Sequence, residues 1–315
     1  MERGLCFICQ LMTVAASRTP RRCQAGISKM VSCIKCQINA PDEIRYCPSC
    51  KRDLGAPNVR AAETSAERDA LAKRVDSALA RAKTEKRLPT VMSFRRSVDR
   101  ESHVVVNMAP SFARSLVEDR RKVYANYEKL VGAELRTPAT GADDRRRCAV
   151  DGWFFGSFGI KIVFGVLSLS SDGLPTYGNV ACRLRDEAID DRTSFLETNS
   201  YKFATIHKVQ LADVTVPAGY RATWNTRADL ALARIGDRVA KGTTRTDWES
   251  LLVVSDAKHR ENDEFIEAHI YDSFNADSIE AIKVSSVISD KDAKLDAKIC
   301  LERFSKTMVQ RRKPS

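Results

Sequence analysis

Four cysteines, Cys33-Ile-Lys-Cys36 and Cys47-Pro-Ser-Cys50, form two C-x-x-C pairs with residues 37 to 46 between them. Paired knuckles at this spacing bring four thiolates around one tetrahedral Zn²⁺. The intervening stretch is too short to build a core, so the metal is expected to supply the folding energy that burial cannot. Four thiolates close the coordination sphere and leave no position for a reacting water, which predicts a structural metal. A disulfide pair or a thioredoxin-like redox site fits less well, because a redox C-x-x-C stands singly at a strand-to-helix junction. A second equipped segment runs from Asp263 to Tyr271. Its two-residue alternation sets Phe265, Glu267 and His269 on one face and Ile266, Ala268 and Ile270 on the other. The expectation is one core face and one face opening on a cleft, with Glu267 as an electrostatic stabiliser and His269 as its hydrogen-bonding neighbour. The competing reading is a solvated strand face of ordinary polar residues.

The cysteine segment, residues 31 to 53, resembles the zinc ribbons, in which two β-turn knuckles and a few short strands hold one metal. The whole chain of 315 residues is 43% hydrophobic and 30% charged, enough for one sizeable domain beside such a ribbon. A net charge of +11 points to polyanionic partners, with nucleic acid first and a protein partner as the alternative. No apolar stretch approaches the length of a membrane span, and the many thiols fit a cytoplasmic setting. The apolar run Leu5 to Ala16 is interrupted by Gln10 and is not read as a signal peptide. Met30 is read as the true start, and Cys6-Phe-Ile-Cys9 and Cys23 as part of a non-native or disordered leader over residues 1 to 30, with a second metal site built from them as the alternative.

The predicted organisation is a ribbon over 31–56, a helical linker over 57–90, an α+β domain over 91–290 and a basic helix or tail over 291–315. Thr64-Ser-Ala-Glu67 offers a capping box to a helix over 65–87, whose apolar stripe of Leu71, Val75, Ala78, Leu79 and Ala82 is narrow and suits a linker or weak coiled coil. A second helix is expected after Pro110, burying Phe112, Leu116, Val123, Tyr127, Leu130 and Val131. Thr137 to Gly141 reads as a loop, and Asp143 to Phe158 as an amphipathic segment carrying Trp153, Phe154 and Phe155 inward. Strands are expected at 160–169 and 177–185 as a hairpin about Ser170-Ser-Asp172-Gly173, and again at 203–214, 251–254, 264–271 and 282–287, with a helix over 226–239. Irregularly interspersed helices and strands make the class α+β, mostly antiparallel, rather than a doubly wound sheet. Glycine-rich phosphate loops, G-x-S-x-G and H-E-x-x-H are all lacking, and four histidines are too few for a second metal centre.

The order of Tyr177-Gly-Asn-Val-Ala-Cys-Arg-Leu-Arg185, Arg192-Thr-Ser-Phe-Leu-Glu-Thr-Asn-Ser-Tyr201 and Glu264-Phe-Ile-Glu267-Ala-His-Ile270, followed by Ile279 and Ile282, resembles the ADP-ribosyltransferase-like domains over residues 145 to 287. That resemblance implies a split, mostly antiparallel sheet with an NAD-binding cleft, a first strand giving Arg or His, a strand opening with Ser or Thr, and a late strand bearing the catalytic Glu. Glu267 would then be the catalytic carboxylate, with Thr193, Ser194 or Ser200 on the nicotinamide side and Tyr201 stacked on the ring. Phe265 stands where arginine-directed members carry Glu or Gln, which disfavours arginine as acceptor. Arg183 and Lys161 are the candidates for the first-strand cation. The alternative function is a non-enzymatic binding protein, in which ribbon and basic surface contact nucleic acid or protein and the Thr193 to Tyr201 segment is a capping loop.

Overall fold

A computed structural model describes residues 30–132, 141–209, 215–256 and 262–311, so the leader with Cys6, Cys9 and Cys23 and most of the 137–141 loop lie outside the described residues. The ribbon pairs β1 (Met30–Ser32) antiparallel with β2 (Asn39–Pro41). The class is α+β, as expected. β3 (His103–Met108), β4 (Ile162–Ser168), β5 (Val180–Leu184), β6 (Thr193–Leu196), β7 (Arg221–Thr223), β8 (Glu267–Tyr271) and β9 (Ile279–Val284) form one sheet in the order β7-β6-β8-β4-β3-β5-β9. Every neighbouring pair in it is antiparallel, and the sheet is continuous where the resemblance implied a split one.

Alternation along the strands gives the sheet two apolar faces. One, with Val104, Val106, Val163, Phe195, Ala268 and Ile270, is the main core. It is covered by α2 (Ser65–Thr84), α3 (Leu88–Glu101), α4 (Pro110–Glu118), α8 (Arg227–Ile235), α9 (Arg245–Leu252) and α10 (Lys291–Arg311). The other, with Ile162, Leu196 and Tyr271, lies under Phe154 and Phe155 of α6 (Gly141–Phe155), Phe158 beyond it and Phe203 of α7 (Ser200–Ile206). Short α1 (Pro57–Ala62) joins ribbon to sheet, and α5 (Tyr127–Gly132) precedes α6. Among the described residues no helix is long and apolar enough to cross a membrane.

Several elements differ from their sequence reading. The 65–87 helix is a core element, not a linker: Leu71, Val75, Ala78 and Ala82 all enter the main core, because even this narrow apolar face finds Leu230, Leu232 and Ile235 of α8 in the same cluster. Strands 160–169 and 177–185 are not a hairpin. β3, an apolar segment left unassigned, pairs with both and separates them. The loop between β4 and β5 crosses over β3 instead, and Gly173 (φ +58°) permits it: a Cβ there would stand 2.2 Å from Asn107 Oδ1 and 2.8 Å from Val105 Cγ1. The expected strand from Phe203 begins as α7, since the Asn199 side chain caps the N–H groups of Tyr201 and Lys202. Residues 245–252 are likewise helical behind a Thr244/Asp247 capping box, which leaves Val254 only an isolated bridge to Glu264. The helix after Pro110 stops at Glu118, leaving Val123 46% exposed, and Trp153 is also exposed. The basic C-terminal segment continues α10 as far as Arg311.

Candidate metal centre and the buried Glu267 cluster

The two knuckles are built alike. In the first, Cys33 N–H donates to Ile38 O (3.0 Å) and Gln37 N–H to Cys33 O (2.8 Å); in the second, Cys47 N–H donates to Arg52 O (2.9 Å) and Lys51 N–H to Cys47 O (3.1 Å). Each turn closes through a non-glycine residue in the left-handed region, Gln37 at φ +61° and Lys51 at φ +60°. Such conformations cost on the order of 1 kcal/mol each and persist where surrounding bonds over-determine them. Cys33 and Cys50 Sγ lie 3.5 Å apart, as do Cys36 and Cys47, and all four sulfurs fall within 4.8 Å of one another. A tetrahedron of Zn–S bonds of about 2.3 Å has edges of about 3.8 Å, so the group fits zinc.

The electrostatics fit a cation too. Backbone N–H groups of Cys36 and then Lys35 hold the Cys33 thiol down to about 6, and those of Cys50 and Ser49 lower Cys47. The Arg52 N–H acts in the same sense on Cys50, but desolvation and the three neighbouring sulfurs outweigh it and push Cys50 up to about 11. Four crowded thiolates need a shared positive charge to ionise together, which a divalent ion supplies.

The second site lies on the sheet face beneath α6 and α7. Both faces of β8 are buried rather than one opening to solvent, so Glu267 is 4% and His269 2% exposed. Adjacent on one face, as alternation requires, they meet: His269 Nε2 is 3.0 Å from Glu267 Oε2. The same oxygen accepts the Ser200 N–H (2.9 Å), and Oε1 accepts Asn199 Nδ2 (3.2 Å). Edge-to-face contacts with Phe155 (4.8 Å) and Phe164 (5.5 Å) fix the imidazole plane. One turn before Phe155, Asp151 is pushed up to about 8 by desolvation, then by the charges of Glu128 and Glu267, against Arg147 and Asn126. Glu128 also accepts the Cys148 thiol at 2.6 Å.

Of the residues singled out by sequence, the structure brings Glu267, His269, Ser194 and Ser200 together. Ser194 stands opposite His269 across β6 and β8. Thr193 falls on the other sheet face, where its hydroxyl donates to Ile189 O (2.7 Å). Tyr201, in the first turn of α7, is 42% exposed. Glu264 pairs with Arg238 (3.1 Å) and Lys202 (3.7 Å). Neither expected cation reaches Glu267: Arg183, on β5 and so three strands or about 14 Å from β8, binds Glu280 of β9 (2.7 Å), and Lys161 binds the Tyr271 hydroxyl (3.2 Å). The first strand of the sheet, β3, instead offers His103, 3.3 Å from Asp186. Asn58, Asn199 and Asp151 were missed. Asn199 alone had a local signal, an Asn before a helical segment; Asn58 and Asp151 had none. Compared with protein-family models and with curated proteins, the chain matches none.

Proposed function

We propose that this chain is a zinc-ribbon protein whose α+β domain is an ADP-ribosyltransferase-like, NAD-binding domain with Glu267 as its catalytic carboxylate. The observation that carries the reading is a carboxylate buried in mid-sheet and aimed by three donors from α7 and β8. As the bond from nicotinamide to ribose breaks, its electron pair leaves with nicotinamide and positive charge develops at the ribose carbon. A fixed, water-excluded carboxylate stabilises that charge most when it need not reorient. Glu267 Oε1 accepts one bond here and keeps capacity for a ribose hydroxyl. His269 orients the carboxylate, Ser194 and Ser200 line the same face, and Tyr201 at the start of α7 offers a ring for nicotinamide. Phe265 is buried against Tyr177, which supports an acceptor other than arginine. Free thiols throughout the described residues support a cytoplasmic setting.

A second reading has its own support. The three donors that aim Glu267 also satisfy it, as they would a purely structural carboxylate, and the protein would then be a non-enzymatic binder of nucleic acid or protein. Glu267→Gln and Glu264→Gln separate the two. The first should lower NAD consumption by roughly 10²-fold or more with zinc content and circular dichroism unchanged, and the second should be mild. Wild-type protein that neither binds nor consumes NAD, or variants that behave alike, would overturn the transferase reading.

A further inference from the structure

The ribbon is tied to the sheet through one six-residue helix whose two polar side chains reach in opposite directions. Arg60 of α1 donates to four backbone carbonyls of the ribbon and its exit: Asp42 and Gly55, with Ile44 at 3.1 Å and Leu54 at 3.2 Å. Burial of the guanidinium holds its pKa below the usual arginine value, so those carbonyls serve it in place of water. Arg45 adds a clamp, binding Asp53 within the ribbon (2.7 Å) and Asp191 just before β6 (2.5 Å), and Glu43 accepts the Ser157 hydroxyl. Two residues before Arg60, Asn58 is 3% exposed. Its Nδ2 donates to His269 O (2.8 Å) and faces Ser194 Oγ (3.1 Å) and Arg192 O (3.2 Å). His269 belongs to the strand bearing Glu267, Ser194 to the strand beside it, and Arg192 stands just before that strand.

A local consequence follows from what fixes each end. Asp42 and Ile44 lie between the cysteine pairs, where too few side chains are buried to hold the backbone without metal. The other end touches the carbonyl of the residue whose imidazole supports Glu267. Asn58 Oδ1 is buried with no partner among the described residues, so the amide is retained at a cost that packing alone does not require. We propose that Asn58 is a positioning residue through which metal occupancy of the Cys33, Cys36, Cys47 and Cys50 group sets the alignment of the Glu267–His269 pair. With metal bound, the ribbon holds Arg60, α1 holds Asn58, and Asn58 holds β8 and β6. Without it, Arg60 loses its fixed acceptors and that end of the sheet loosens, while β5 and β9 at the far end do not.

The test uses the full chain, with zinc and after chelation by EDTA, and reads backbone hydrogen exchange and the His269 ring resonances. Removal of zinc should speed exchange about tenfold or more in residues 193–196 and 267–271, leave 279–284 within about twofold, and shift the His269 ring signals. Asn58→Ala should reproduce both effects with about one zinc still bound. Arg60→Met, which keeps the aliphatic stem and removes the donors, should do the same, and serves if Asn58→Ala fails to fold. Exchange that rises uniformly across the sheet, a His269 ring indifferent to zinc, or variants that disturb β8 only by losing zinc would each overturn the proposal. None of these readouts involves NAD, so a chain that ignores NAD leaves it standing.

Discussion

Asp151 makes the stability of this protein depend on pH in a direction opposite to that of most carboxylates. Its pKa rises from 3.8 to about 8 because burial and the charges of Glu128 and Glu267 disfavour its ionised form, with only Arg147 and Asn126 opposing. The folded chain therefore keeps a proton that the unfolded chain releases between about pH 4 and pH 8. Stability must fall as pH rises through that window, and the loss is complete above about pH 8. At about 1.4 kcal/mol per pH unit for a full proton, the ceiling is about 6 kcal/mol; with Asp151 partly open to solvent, about half of that is expected. Asp151→Asn keeps the shape and removes the charge. Relative to wild type, the variant should gain about 2–3 kcal/mol between pH 5 and pH 8.5 in urea unfolding at saturating zinc. The cysteine group titrates in both proteins and cancels in the difference. Parallel stability curves for the two proteins would refute the assignment of Asp151 as a neutral acid at pH 7.

Two further outcomes follow from other parts of the fold. Metal analysis should find about one zinc per chain, and Cys36→Ser should lose it, with full retention in that variant overturning the four-thiolate assignment. Glu67, 1% exposed, accepts the Gly219 N–H (2.6 Å) and the Arg221 guanidinium, so Glu67→Ala should cost about 3 kcal/mol in denaturant unfolding by stranding both donors; a loss below about 1 kcal/mol would contradict that role.

Glu67 also shows how a correct local signal can point to the wrong partner. The Thr64-to-Glu67 spacing marks a helix start, and Thr64 Oγ1 does accept the Glu67 N–H (3.3 Å). The Glu67 carboxylate does not return to the cap as a capping box requires; it crosses to Gly219 and Arg221, more than 150 residues away. The same gap explains α2. Its stripe of Leu71, Val75, Ala78 and Ala82 reads as too thin for a core when hydrophobicity is summed along the helix, yet all four are buried in the main core, where α8 supplies the apolar partners. The strands at 160–169 and 177–185 each stand about where alternation puts them, but β3 between them was invisible to a rule that pairs neighbours across a turn signal.

The two sites differ in legibility for one physical reason, the sequence distance over which their parts are assembled. All four cysteines of the candidate metal centre lie within 17 residues of one another, and turn geometry with thiolate chemistry nearly determines their arrangement. The Glu267 cluster draws on α1, α6, α7 and β8, and its Asn58 to His269 contact spans 211 residues. Period-2 alternation could put Glu267 and His269 side by side because they share a strand. It could not show that α6 and α7 would bury them, and burial changes their chemistry: an exposed carboxylate beside a histidine is a solvated pair, whereas a desolvated one must be satisfied by named donors or neutralised. Glu267 is satisfied by Asn199, Ser200 and His269, while Asp151, a turn away from the same imidazole's neighbour Phe155, is neutralised. One buried face thus treats two carboxyl groups differently: three donors meet Glu267, whereas desolvation and neighbouring charge hold the Asp151 carboxyl up to about 8.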